Sequence, residues 1–333
     1  VRKSEFETIM LEPARRAQQR GRSGGGMGCP QMTLAAPIVL EGVGLHSGAT
    51  IRMVLHPARA GFGIVFRRTD LDGDAGPAAT DIPALYDHVC ETTLSTAIGN
   101  ASGASISTVE HLMAALSGLG VDNALIEIDG AEVPVMDGSS KVFVDAIEAA
   151  GLKALNAPRR AIRILKPVIV EDGLKRAALL PGEGFRLAFE IEFDNPVIGR
   201  EAIEADFNDP AFAGEILRAR TFGLLKDVEA MWLMGLGRGG SLENTVVVGE
   251  DRVLNEDGLR FEDEFVRHKV LDAVGDLALA GAPLIGRYEG VRAGHAMNNR
   301  VLRALFADAS AYEIVDLTAA RRRVGAPVAV PAE

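Results

Sequence analysis

The sequence predicts an α+β protein built from two halves of similar plan. Three observations predict it. Short alternating apolar segments bounded by Gly, Pro and Asn read as strands. Two longer stretches carry apolar residues at helical spacing. After Asn156-Ala157-Pro158 the order of strands followed by helices begins again. No residue-level repeat accompanies that order, so the duplication rests on the order of elements alone.

In the first half, Ile38–Leu40, a turn over Glu41–Gly44 and the alternation Ala49–Leu55 before His56-Pro57 predict two strands. A helix is expected from Ser107 to about Leu119. There Ser107-x-x-Glu110 has the form of a capping box, and Val109, Leu112, Met113 and Leu116 form the apolar face. A strand over Ala124–Ile128, a turn through Val133–Gly138 and a helix over Ser140–Ala150 follow, the last stopped by Gly151. The second half predicts strands around Ile162–Val170, Ala177–Leu180 and Phe185–Phe193. A helix over Glu264–Leu279, a strand over Leu284–Tyr288 and a final helix over Asn298–Phe306 complete it. The natural cut separates domains 33–155 and 156–320. Residues 1–32 are polar and Gly-rich, without periodicity, and read as an unfolded extension; 321–333 read as a flexible tail. Glu5, Glu7 and Glu12 argue against a transit peptide, and no apolar core marks a secretory signal.

Composition narrows the function. With 333 residues, 47% hydrophobic and 24% charged, the chain can bury an ordinary globular core. A formal charge of -11 excludes a general nucleic-acid partner, while leaving room for a local basic patch that holds a phosphorylated small molecule. Two cysteines make neither a disulfide framework nor a thiolate zinc site, so a reducing, cytoplasmic setting is expected. No apolar run reaches the ~20 residues that span a bilayer, so any membrane contact would be peripheral. The chain is expected to act as a monomer on a small molecule.

Chemistry concentrates in Phe265-Val-Arg-His268-Lys269-Val-Leu-Asp272-Ala-Val-Gly-Asp276. Spacing of four puts His268, Asp272 and Asp276 on one helical stripe, opposite Val266, Val270, Ala273, Val274 and Leu277. Ser107-Thr-Val-Glu110-His111 opens the other helix. His111, His268 and Asp272 together could ligate a divalent ion with a coordination position left for water, and Glu110 beside them could take that water's proton. Each piece has a plainer reading. Glu110 could be only a cap, His268 and Asp272 a buried pair, Lys269 a surface cation, and His295 a histidine in a glycine-bounded loop. His46, His56 and His88 are weaker candidates. Asp276, one turn on, could accept a hydrogen bond from an imidazole. Two histidines and a carboxylate also fit a non-haem iron oxygenase, but Glu110 favours hydrolysis because an oxygenase has no need of a base there. A non-catalytic module that senses a nucleotide sugar is the reading from a different class.

Six motifs run in order from about Thr33 to about Leu305. They are Gly42-Val-Gly-Leu-His46-Ser-Gly48, Ser107-Thr-Val-Glu-His111-Leu, Met136-Asp-Gly-Ser139, Ala219-Arg-Thr221-Phe222-Gly, Asn255-Glu-Asp-Gly-Leu-Arg-Phe261 and Arg267-His-Lys-Val-Leu-Asp272. Together they resemble the UDP-3-O-acyl-N-acetylglucosamine deacetylases, the zinc enzymes of lipid A biosynthesis. The resemblance implies two domains, each a two-layer α/β sandwich with a small insert, and an active site at their interface. It implies zinc, with ferrous iron as the alternative ion in the cell, on His111, His268 and Asp272. Glu110 would be the general base and His295 the acid at the leaving amine, oriented by Asp276. Thr221 and Lys269 would assist at the oxyanion and substrate. Phe222, Lys269, Glu192 and Phe193 would touch substrate, and an insert around 222–245 would pass the acyl chain. By its own pattern that insert reads as an amphipathic helix packed on the core. Ser47 stands where threonine is common in the family.

Overall fold

The computed structural model describes residues 29–71 and 76–317. The expected extension over residues 1–28 and the tail over 321–333 lie outside the described residues. Residues 29–32, expected to belong to the extension, do not: Pro30–Leu34 is a strand, antiparallel to Leu152–Pro158. The cut expected at 155/156 thus falls inside a strand.

Among the described residues the α-helices are α1 (Pro77–Thr80), α2 (Glu110–Gly118), α3 (Lys141–Ala150), α4 (Pro210–Ile216), α5 (Leu225–Leu233), α6 (Glu264–Ala278) and α7 (His295–Ala307). With mixed sheets around them, the chain is α+β, as the order of segments predicts. A five-stranded sheet in the first half runs in the order Ile38–Val43, Thr50–Pro57, Ala124–Ile128, Ile64–Arg68, Asp81–Pro83. Its second strand alternates as sequence requires, with Ile51, Met53 and Leu55 buried and the residues between them more open. Three short strands, Val89–Glu91, Ala97–Gly99 and Ser105–Ile106, form a separate antiparallel sheet beside it.

A seven-stranded sheet in the second half is organised around Leu284–Val291. This strand pairs antiparallel with Lys175–Leu180, and parallel with Arg160–Ile164 and with Phe185–Glu192. The single strand expected over Ile162–Val170 is two, Arg160–Ile164 and Val168–Asp172, because the chain turns between them to pair with different partners. The 222–248 region is a parallel pair, Phe222–Leu224 with Val246–Val248, joined through α5.

Helices α2 and α6 pack directly on each other. Their apolar residues behave as the periodicity predicts: Val109, Leu112, Leu116, Val266, Val270 and Ala273 are all buried. The close approach has a specific cause. A Cβ on Gly275 would lie 2.0 Å from the Glu110 carbonyl oxygen, so only glycine lets α6 meet the start of α2 at this point.

Candidate metal centre

The start of α2 differs from the expected capping box. The helix begins at Glu110, three residues after the expected Ser107, with no side-chain cap, and Thr108 sits at φ 59°. The Ser107 hydroxyl donates to the Ala131 carbonyl and accepts from no helix N–H, and Glu110 accepts from the Thr96 N–H at 3.0 Å. Glu110 is therefore free of capping duty and turned inward, 3% exposed. His111 follows it inward, its carbonyl fixed by the Ser140 hydroxyl at 2.7 Å.

At the other helix, a buried ion pair sets the local frame. Arg220 reaches Glu264 through Nε at 2.9 Å and through a second guanidinium nitrogen at 3.0 Å. That holds the Ala219–Thr221 segment against α6, where the Ala219 carbonyl meets His268 Nδ1 at 3.1 Å. With Nδ1 donating to a carbonyl, Nε2 carries the lone pair, which is the tautomer a metal ligand needs. Burial, reinforced by His111 and Lys269, pushes His268 down to about 4 against the pull of Asp272, so it is neutral at pH 7.

These two arms converge. His268 Nε2 lies 3.3 Å and His111 Nε2 3.5 Å from the same Asp272 oxygen, Oδ1. The imidazoles cross edge to face at 84°, and donor atoms of His111, His268 and Asp272 all lie within 4.8 Å of one another. Among the described residues this is the cluster with metal-holding geometry. Burial opposes the charge on Asp272, but His268, Lys269 and His111 outweigh it and hold the carboxyl well below its usual range. With His268 neutral at pH 7, Lys269 is the standing counter-charge, its Nζ 2.6 Å from Asp272 Oδ2. Lys269, expected off the ligand stripe, thus turns back onto it.

Beside the cluster stands a second constellation. His295 is the first residue of α7 rather than part of a loop, since the helix starts three residues before the expected Asn298. Its Nδ1 is 2.9 Å from Asp276 Oδ2 and its Nε2 is 3.9 Å from Glu110 Oε1. Burial opposes its charge, but Asp276, Glu110 and Asp272 prevail and raise it to about 9. Glu110 is itself raised, by burial first and by Asp276 and Asp272, against the pull of His295 and His111.

Other expected residues lie at graded remove. The Thr221 backbone bonds to Gly138 and Val246. Phe222 stacks edge-on with Phe193 and Phe265, at 5.5 and 5.0 Å, and faces the His268 ring at 6.2 Å. Glu192 is ion-paired with Arg292. His56 pairs with Glu127 and His88 with Asp87, outside the cluster. The His46 ring nitrogens are buried without a partner, while Glu132 clamps the backbone N–H groups of His46 and Ser47. In the 222–248 region, α5 is helical as its pattern suggests, but it does not bury its apolar side: Leu233 is 91% and Met234 67% exposed. Sequence reading missed Thr96, Asn298 and Tyr288. Asn298 alone had a signal, three residues after His295 and so on the same helical face.

A family model described as UDP-3-O-acyl N-acetylglycosamine deacetylase matches residues 31–307. A curated relative from Phenylobacterium zucineum (strain HLK1), named UDP-3-O-acyl-N-acetylglucosamine deacetylase, is 53% identical over 284 residues, 85% of this chain and 96% of its own. Relatives of the same name from Myxococcus xanthus (strain DK1622) and Pseudomonas entomophila (strain L48) are 52% and 50% identical. They cover 88% and 86% of this chain, and 90% and 93% of their own lengths. With a matching model over most of the chain and relatives of one name at half identity, this chain belongs to the UDP-3-O-acyl N-acetylglycosamine deacetylase family.

Proposed function

We propose that the protein hydrolyses the N-acetyl amide of a UDP-3-O-acyl-N-acetylglucosamine, releasing acetate and a free amine in lipid A biosynthesis. The observation that carries this is a base and an acid facing each other across 3.9 Å, Glu110 and His295, beside a buried trio of metal donors.

The donors fit a divalent ion. A neutral imidazole with its far nitrogen tied to a carbonyl, a second imidazole and an ionised carboxylate leave a position for substrate or water, the pattern of catalytic zinc. We assign zinc, with ferrous iron as the alternative in the cell, to His111, His268 and Asp272. When bound, the ion supplies Lewis acidity at the amide carbonyl and makes water easier to deprotonate.

Glu110 takes a proton from the attacking water as its oxygen bonds to the carbonyl carbon. Its raised pKa makes its carboxylate a stronger proton acceptor than an exposed one. Negative charge collects on the former carbonyl oxygen, where Thr221 and Lys269 assist. His295, protonated because Asp276 stabilises its charge, gives the Nε2 proton to the departing nitrogen as the C–N bond breaks. Phe222, Phe193 and Glu192 are assigned to substrate. The exposed apolar side of α5 is assigned to the acyl chain, whose contact would cover Leu233 and Met234.

No described helix is long and apolar enough to cross a membrane. The two free cysteines fit a cytoplasmic setting, and we assign the monomer as the working form. The deciding experiment is incubation of the metal-loaded protein with UDP-3-O-acyl-N-acetylglucosamine. Equal amounts of acetate and free amine are expected; intact amide after prolonged incubation overturns the proposal.

A further inference from the structure

Asp276 and Glu110 belong to different helices, yet a single residue outside both holds them. The Thr96 N–H donates to Glu110 Oε2 at 3.0 Å, and the Thr96 hydroxyl donates to Asp276 Oδ1 at 2.5 Å. Its carbonyl accepts from the Val109 N–H, at the residue before α2, at 3.3 Å. Every polar group of this residue is thereby committed to the two helices or to the residue that leads into one of them, and Thr96 is 1% exposed.

The loop that delivers Thr96 is organised by itself. It connects the strands Val89–Glu91 and Ala97–Gly99, and Glu91 Oε1 accepts from the Thr92 and Thr93 N–H groups and the Thr93 hydroxyl. Leu94, at φ 65°, then bends the chain inward. The loop therefore brings Thr96 to the two helices from an element that contributes no other residue to the cluster.

The Asp276 carboxylate is filled on both oxygens. Oδ1 takes the Thr96 hydroxyl. Oδ2 takes His295 Nδ1 and the Asn298 amide at 2.8 Å, and Asn298 is itself held by the Tyr288 hydroxyl at 2.5 Å. Removing one donor from a buried carboxylate leaves a lone pair without water to satisfy it, and the group turns to find another partner. Rotation of Asp276 would carry the His295 ring with it, away from Glu110.

We propose that Thr96 is a positioning residue for this reaction, holding the proton acceptor Glu110 and, through Asp276, the proton donor His295 in one fixed relation. The inference rests on the roles proposed above for Glu110 and His295. The hydrogen bonds of Thr96 go to Glu110, Asp276 and Val109 and to none of the three metal donors, so its effect should fall on turnover and not on binding.

The test compares Thr96→Val with Thr96→Ser, each with metal content, thermal midpoint, kcat and KM measured on the full-length, metal-loaded protein. Valine keeps the shape and the backbone N–H but removes the hydroxyl. Thr96→Val should lose roughly tenfold or more in kcat with KM changed less than about twofold, the scale of a small misplacement of catalytic groups. Thr96→Ser should restore kcat to within about threefold of the parent. Should Thr96→Val fail to fold, the ratio of Thr96→Ser to Thr96→Ala serves instead, with the same tenfold expectation. Equal kcat for variants with and without the hydroxyl overturns the proposal, and so does a kcat loss that tracks lost metal. Glu110→Gln run alongside separates the two readings: if it is fully active, the base assignment itself is wrong; if it is inactive while Thr96→Val matches the parent, only the role of Thr96 falls.

Discussion

His295 and Asp276 are bonded at 2.9 Å between Nδ1 and Oδ2, and that bond leaves His295 Nε2 directed at Glu110. One carboxylate thus decides both the charge of the imidazole and where its second nitrogen points.

Activity should be bell-shaped in pH, with each limb traceable to a residue. Glu110 must be ionised, so turnover falls as pH drops through its raised pKa, at higher pH than for an ordinary glutamate. His295 must be protonated, so turnover falls as pH rises through about 9. In Asp276→Asn the strongest upward influence on His295 is gone while burial still opposes its charge, so the alkaline limb should move to lower pH. A kcat–pH series for parent and variant checks this; an unmoved limb refutes the His295 assignment.

Glu110→Gln should lower kcat by roughly 10²–10⁴, the usual contribution of a general base, with metal content unchanged because Glu110 is not one of the three donors. Kinetics paired with elemental analysis reads both at once.

Asp272→Ala removes the oxygen that both imidazoles face at 3.3 and 3.5 Å. Metal content of the purified variant should drop, and chelator should inactivate the parent, with recovery on adding zinc. Full activity in strong chelator would count against a metal-dependent reaction. Lys269 loses its partner in the same variant, so some thermal destabilisation is also expected.

Gly275→Ala forces a Cβ to 2.0 Å from the Glu110 carbonyl, and that oxygen belongs to backbone that cannot swing aside. A loss of about 1–3 kcal/mol in unfolding free energy is expected from overpacking, with a larger fractional loss of kcat because α2 and α6 move apart. Denaturant melts and kinetics check it. Wild-type behaviour in both would show that the contact has more slack than its geometry allows.

Leu233→Ser should leave the thermal midpoint unchanged, since this side chain is 91% exposed. If α5 receives the acyl chain, KM should rise for long-chain substrate and stay flat for a short-chain analogue. The same KM change for both chain lengths would remove the helix from that role.

Much of the site was legible because it is written in local periodicity. His268, Asp272 and Asp276 recur every four residues on one helix, and Glu110 and His111 adjoin at the head of another, so their shared surroundings follow from helical geometry. Local pattern misled where a tertiary partner was stronger. Ser107-x-x-Glu110 has the form of a capping box, but the Thr96 N–H claims Glu110 and the Ala131 carbonyl claims Ser107. The start of α7 was misplaced for a related reason: Gly294 and His295 read as loop, yet contact with Asp276 rewards beginning the helix at His295 itself.

The sequence by itself determined which side chains could carry the chemistry, the α+β plan and the buried faces of α2 and α6, because each depends on spacing along a single element. Only the tertiary structure decided that Thr96 ties Glu110 to Asp276, that Gly275 admits α6 against α2, and that the apolar side of α5 stays open. Those contacts join residues far apart in the chain, and no periodicity within one segment encodes the distance to another.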